Sequence, residues 1–330
     1  ARSEAGDGIG FWSGNLLERY VWNGAALVVD STFSSFSIPF DPTQQNNAAH
    51  NGGPLHFGQD GTLFLATGDL TRSRIEQNNT AATESAGTGG IYRFNADGTL
   101  PADNPFATNP DVLLRDLFAY GVRNSFGLTV DPVTGFLWDT ENGNQDMDEI
   151  NLVPSAMNSG WSILMGPEAR DPDGHTSLDL VNILAQSTYS DPEFSFEDSI
   201  GITSIGFLAG SALGSGYDDA VLVGDHNPGS LYLFRLNGAR DGFDLSGDLA
   251  DMVADGDERL QLVFGSNFWS TTGIEVGPDG AVYLLSYRRD SIYRITAIPE
   301  PGTAGTLALG LLGLAARRCV RPSGRTSSRA

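Results

Sequence analysis

His50-Asn51-Gly52-Gly53-Pro54-Leu55-His56-Phe57-Gly58-Gln59-Asp60-Gly61-Thr62-Leu63-Phe64-Leu65-Ala66-Thr67-Gly68-Asp69 reads as loop, strand, tight turn and strand. Leu55 and Phe57 alternate with polar or small neighbours, the period-two pattern of a half-buried strand. Asp60-Gly61 supplies the left-handed backbone that a two-residue hairpin needs. Leu63-Phe64-Leu65 is an apolar run short enough for a buried strand. The same order returns at residues 274–286, around Gly277-Pro278-Asp279-Gly280. Each copy leads to a strand of one kind, Ile91-Tyr92-Arg93-Phe94 in the first and Ile292-Tyr293-Arg294-Ile295 in the second.

Looser copies span residues 128–153 and 205–236. Several strands per repeat at this spacing predict an all-β chain of the β-propeller type, with about five units recognisable. Arg19-Tyr20-Val21-Trp22, an Asn23-Gly24 turn and Leu27-Val28-Val29 read as the outer hairpin of a first blade. The inner strands of that blade have no counterpart in the sequence, so the propeller is expected to be incomplete at its amino end. Residues 72–90 read as a long loop, 167–198 as loop-rich, 111–120 as a short strand or turn of helix, and 141–149 as a dense acidic loop.

The chain has 330 residues, with 41 acids against 19 bases. Every base is an arginine; there is no lysine. Arg317, Arg318, Arg321, Arg325 and Arg329 crowd the carboxyl end without an acid among them. The rest of the chain therefore sets 14 arginines against 41 acids, a formal charge of −27. Such a body repels nucleic acid and anionic membranes and suits calcium or an exported, soluble role. Cys319 is the only cysteine, so no intrachain disulfide forms. Stability must come from the core, which a chain of this length can supply. Two segments are expected: a propeller over residues 1–296, and a tail over 297–330. The tail begins at Pro299-Glu300-Pro301 and carries an apolar stretch shorter than the ~20 residues of a spanning helix before the arginines.

Three places carry chemistry. His50, in a glycine-rich loop beside a strand, is a candidate general base, since its imidazole titrates near neutral pH. Arg123 and Asn124, in the glycine-bounded loop 120–127, offer a rigid fork of donors and a donor–acceptor amide to carboxylates or quinone oxygens. Residues 141–149 offer hard oxygen ligands for calcium, although their spacing is not that of an EF-hand.

Together these stretches resemble the glucose/sorbosone dehydrogenase family. The likeness rests on His50-Asn51-Gly52-Gly53 with Phe57-Gly58-Gln59-Asp60-Gly61, then Tyr92-Arg93-Phe94-Asn95-Ala96-Asp97-Gly98 with Asp103-Asn104-Pro105-Phe106. It continues through Gly121-Val122-Arg123-Asn124 and Asp148-Glu149-Ile150-Asn151 to Gly160-Trp161. The resemblance implies a six-bladed propeller that oxidises aldoses with pyrroloquinoline quinone (PQQ) and calcium. It implies that His50 takes the sugar hydroxyl proton and that Arg123 and Asn124 bind the quinone. It also implies that Gly143 and Asn144 offer carbonyls to calcium, with Asp148 and Glu149 serving that loop or a neighbouring calcium.

The sequence departs from the family pattern at several points. Ala49 stands where an Asp is usual, and no lysine follows His226-Asn227-Pro228-Gly229. Trp269-Ser270-Thr271-Thr272-Gly273 stands where two arginines are expected, and a first-blade glutamine falls outside the chain. Arg288 and Arg289, on a nearby loop, are candidate replacements for the missing cations. The tail resembles the PEP-CTERM sorting signal, which implies export, an exosortase-type processing enzyme and membrane contact through the tail only. An exported sugar dehydrogenase is therefore expected. A non-catalytic propeller that binds a glycan or protein at the cell envelope is the alternative, favoured by the missing cations.

Overall fold

A computed structural model describes residues 3–4, 11–12, 15–36, 49–70, 78 and 88–298. The sorting tail read from the sequence, from Pro299 onward, lies outside the described residues, as do most of residues 71–87. Contacts divide the chain into Ala1–Ile295 and Thr296–Ala330. All the described strands lie in the first of these units.

Four antiparallel sheets follow one another along the chain. The first blade is Leu55–Phe57, Leu63–Thr67, Gly90–Phe94 and Leu117–Tyr120, in that order across the sheet. The second is Ser125–Val130, Leu137–Glu141, Asp146–Leu152 and Phe194–Asp198. Val253–Ala254 adds to its outer edge in parallel. The third is Ile202–Phe207, Ala220–Asp225, Leu231–Arg235 and Val263–Gly265, and the fourth is Thr271–Val276, Val282–Ser286 and Ser291–Ile295. The leading strands of neighbouring blades pack on each other, which makes them the inner strands of a propeller. A further hairpin, Asn15–Trp22 with Leu27–Phe36, turns at Asn23, whose Oδ1 accepts from the N–H groups of Ala25 and Ala26. Among the described residues the sheets do not close into a ring.

The repeat has a physical reason. Gly61, at φ 79°, supplies the expected left-handed residue, but the loop is longer than the two residues expected: Phe57 pairs with Leu63, Gly58 N donates to Thr62 O at 2.8 Å, and Asp60 Oδ1 accepts from Thr62 N at 2.9 Å. The arginine of the third strand then reaches back: Arg93 Nη2 donates to Asp60 Oδ2 at 2.7 Å. The fourth blade repeats this tie, with Arg294 Nη2 donating to Asp279 Oδ2 at 2.9 Å. Half-exposed pairs of this sort stabilise little. They do fix which turn faces which strand, and that produces the recurring Asp-Gly and Tyr-Arg signals.

Burial between blades holds the fold. Trp138, Phe194, Phe196, Tyr232, Phe234 and Phe243 fill the gap between the second and third blades. Phe194 and Phe234 lie 4.9 Å apart edge to face, and Phe196 and Tyr232 5.2 Å apart. Such geometry adds to the area buried.

The fold refines one expectation and corrects another. Residues 167–198 are loop-rich but end in a strand, Phe194–Asp198, with Phe194 and Phe196 fully buried. Only Phe194-Ser195-Phe196 lies between the carboxylates Glu193 and Glu197, too short a stretch to show a period. Residues 141–149 are not an exposed acidic loop. Glu141 ends one strand, Asp148 and Glu149 lie within the next, and each is 1% exposed or less. Only 142–145 form the turn between them.

Candidate active site

The loops that precede the inner strands gather at one end of the blades. Gly68 brings two of them together. A Cβ on Gly68 would sit 2.3 Å from His50 O and 2.8 Å from Arg123 O, so the space admits no side chain. The next residue ties this contact, with Asp69 N donating to Arg123 O at 2.8 Å. His50 itself is in the left-handed region, at φ 57°.

His50 Nδ1 lies 2.6 Å from Asp69 Oδ1. The carboxylate accepts, so Nδ1 carries the proton and Nε2 keeps the lone pair. Asp69 is 3% exposed, and its Oδ2 accepts from Trp161 Nε1 at 2.9 Å. The Trp161 ring in turn lies under the Arg123 guanidinium, 5.3 Å from centroid to Cζ. Arg123 Nη1 donates to Asn142 O at 2.8 Å and Gly143 O at 2.6 Å, and Nη2 to Asn144 Oδ1 at 3.4 Å. Glu141 supports the loop from below: its Oε1 accepts from Arg123 N at 2.5 Å and its Oε2 from Ser159 Oγ at 3.0 Å.

His50, Arg123 and the 142–144 turn therefore belong to one site. Asn124 adjoins it: its carbonyl accepts from Asn142 N at 3.1 Å, and its side chain makes no hydrogen bond among the described residues. Asp69 and Trp161 join the candidate site although the sequence alone assigned them no role, and Glu141, read there among the possible calcium ligands, instead supports the Arg123 loop. For Asp69 the signal was present: the Gly68 before it marks a close backbone approach, which aims the next side chain.

Asp148 and Glu149 do not join. Asp148 Oδ1 accepts from Gly143 N and Ser199 Oγ, and Oδ2 from Ile202 N. Glu149 Oε1 accepts from Gly166 N, and Oε2 from Asn151 Nδ2. Both carboxylates hold their neighbours in place. Gly143 O, one of the two carbonyls expected on calcium, accepts from Arg123 Nη1, and the Asn144 side-chain oxygen accepts from Nη2. Among the described residues no group of three or more His, Cys, Asp or Glu side chains is placed to hold a metal. The carboxylates of this stretch are spent on hydrogen bonds and are not gathered for a metal. The site's donors suit the quinone. Arg123 Nε is buried without a hydrogen-bond partner among the described residues, leaving one cationic donor of the site unspent.

Burial also sets the protonation of the acids behind the site. It pushes Asp139 up to about 7 and Glu193 up to about 8. Glu141 and Glu149 move in the same direction, Glu141 by burial and by the nearby Glu149 and Asp139. The native protein thus keeps protons that an unfolded chain releases near pH 4. A raised carboxyl contributes full stability below the unfolded pKa and loses it as pH rises through the folded one. Thermal unfolding is therefore expected at higher temperature at pH 5.5 than at pH 8.5, as read by scanning calorimetry. A Tm that rises over that interval would contradict the assignment.

The chain matches the family described as glucose/sorbosone dehydrogenase over residues 18–294. It is 24% identical over 237 residues to the aldose sugar dehydrogenase YliI of Escherichia coli, covering 72% of this chain and 57% of that protein. It is 30% identical over 166 residues to quinoprotein glucose dehydrogenase B of Acinetobacter calcoaceticus, covering 46% and 33%. It thus spans between a third and little more than half of these relatives' length. The fold is similar to that of the PQQ-bound aldose sugar dehydrogenase of Streptomyces coelicolor, with a TM-score of 0.57 at 20% identity over 88% of this chain and 70% of that one.

Proposed function

The chain belongs to the glucose/sorbosone dehydrogenase family, and from that premise we propose that it oxidises an aldose with PQQ as electron acceptor. The observation that carries this reading is the chain of contacts from His50 through Asp69 and Trp161 to Arg123. It joins a base of fixed tautomer to a cationic donor. Asp69 holds the proton on His50 Nδ1, so Nε2 can take the proton of the sugar hydroxyl. The imidazolium that results is stabilised by the same carboxylate. Arg123, through its unspent Nε, and Asn124, through its side chain, hold the polar edge of the cofactor. PQQ, when bound, supplies the two-electron acceptor for the hydride that leaves the sugar carbon. Trp161 orients both Asp69 and Arg123, by a hydrogen bond to one and its ring face to the other.

Export belongs to the same reading. It is supported by the Pro-Glu-Pro start of the tail, its apolar run and the five arginines at its end. The alternative, a propeller that binds a glycan or protein without oxidising it, is favoured by the absence of any lysine.

The test is to mix purified protein with PQQ, with and without added calcium, and follow dye reduction with a panel of aldoses. Aldose-dependent reduction is expected with PQQ and not without it. No reduction, together with no change in PQQ absorbance on mixing, would leave the binding propeller as the better reading.

A further inference from the structure

The chain is strongly acidic, yet its arginines are not equally neutralised. Arg93 is paired with Asp60 and Asp103, Arg170 with Asp251 and Asp255, and Arg240 with Asp131 and Asp219. Arg19, Arg115, Arg259 and Arg294 each have a carboxylate within 4.0 Å as well. Among the described residues Arg123, Arg235, Arg288 and Arg289 have none. Arg235 is spent on Gly216 O and on the Tyr217 ring. The other three lie at one end of the blades.

Their common location follows from a run of hydrogen bonds. Arg123 holds the 142–144 turn, and Asn142 Nδ2 donates to Ile202 O at 2.7 Å, at the start of the third blade's inner strand. Next to it, His226 N donates to Gly201 O at 2.8 Å. His226 Nδ1 lies 3.0 Å from Ser270 Oγ, just before the fourth blade's inner strand. Arg288 Nη2 then lies 3.1 Å from His226 Nε2. A guanidinium only donates, so His226 accepts at Nε2 and is neutral. Burial and Arg288 both lower its pKa, in keeping with that form. Arg289 lies over the Trp269 ring at 5.5 Å. The Trp269 backbone is held against the 226–229 turn, since a Cβ on Gly229 would sit 2.8 Å from Trp269 N. Asn267, Trp269 and Ser270 all take positive φ, at 70°, 53° and 59°. Two unneutralised arginines are thus braced by a neutral histidine and an indole on a constrained loop.

We propose that Arg288 and Arg289 form a carboxylate-binding subsite at the fourth blade, which with Arg123 holds the acid groups of the quinone cofactor. This rests on the quinone reading above. It also accounts for a cofactor of three carboxylates being held by a chain without lysine. The contacts are charge-assisted hydrogen bonds, and Arg presents them as a planar fork.

The test is a titration of cofactor-free protein with PQQ, followed by isothermal calorimetry, on the wild type and on Arg288→Gln, Arg289→Gln and Arg235→Gln. Arg288→Gln and Arg289→Gln are each expected to raise Kd by about tenfold or more, with partial recovery in Arg288→Lys. Arg235→Gln, outside the site, is expected to bind as wild type does. Wild-type affinity in both Arg288→Gln and Arg289→Gln would overturn the subsite and leave the dehydrogenase reading intact. If the wild type takes up no PQQ, that reading fails, and benzene-1,2,4-tricarboxylate becomes the probe. A thermal shift with it that Arg288→Gln abolishes would uphold the carboxylate subsite. No shift in the wild type would overturn it.

Discussion

Replacing His50 with alanine is expected to lower kcat for aldose oxidation by about a hundredfold to ten-thousandfold, the range that a positioned base contributes. Binding of PQQ, by titration, should be nearly unchanged, because His50 makes its described side-chain contact with Asp69 and none with Arg123. Asp69→Asn should give a smaller loss with a distinct cause. An amide at that position accepts through one atom and donates through the other, so it can satisfy Trp161 Nε1 or His50 Nδ1–H but not both. The imidazole then loses its fixed tautomer and the charge that stabilises its protonated form. The expected signature is an altered pH–rate profile and a reduced kcat, with little change in Kd for PQQ. Activity untouched in His50→Ala would remove His50 from the chemistry altogether.

The largest effect on stability is expected at Arg240. Its Nε and Nη2 donate to Asp131 Oδ2 and Oδ1, both at 2.7 Å, and Asp131 is fully buried. Asp131 lies in the second blade's first turn, and Arg240 lies beyond the third strand of the third blade. The pair therefore joins two blades at the end opposite the site. Burial alone would raise the Asp131 carboxyl. The hydrogen bonds from Arg240, Thr134 and Val133, with the charge of Arg240, outweigh burial and hold it below its usual value. Arg240→Met leaves that carboxylate buried with two donors fewer and no counter-charge. Breaking one side of a buried pair costs about 3–5 kcal/mol, and Tm should fall by on the order of 10 °C. The sign of the pH dependence identifies the cause. A depressed carboxyl contributes stability above its unfolded pKa and loses it as pH falls through the folded one. The gap between wild type and Arg240→Met should therefore be widest near neutral pH and narrow below pH 4. A gap that stays constant with pH would point to lost packing rather than a lost ion pair.

Much of the fold was legible because propeller blades repeat. The Asp60-Gly61 and Asp279-Gly280 turns carry the same left-handed glycine, and Arg93 and Arg294 bind the same aspartate oxygen of their own blade. Repetition turned weak local signals into one pattern. Outer strands escaped that pattern. Phe194–Asp198 is identified as a strand by Phe194 and Phe196 packing on Phe234 and Tyr232 of the next blade, and contacts between blades have no local period.

Part of the site was legible for another reason. His50 and Arg123 lie in glycine-rich loops, where backbones approach closely and side chains are few. The acidic stretch misled, because composition reports how many carboxylates are present and not what they face. Asp148 and Glu149 look like ligands in the sequence, yet in the fold they are spent on Gly143, Ser199, Ile202, Gly166 and Asn151.

The sequence by itself determined the blade repeat, the family, the candidate base and the arginine beside it, since each depends on residue type at short spacing. The tertiary structure decided which groups remain available. It gave His50 its partner in Asp69, turned the 142–144 oxygens toward Arg123, and left Arg288 and Arg289 without an acid among the described residues. Availability depends on which distant neighbours already satisfy a group, and only the packed chain brings those neighbours within hydrogen-bonding distance.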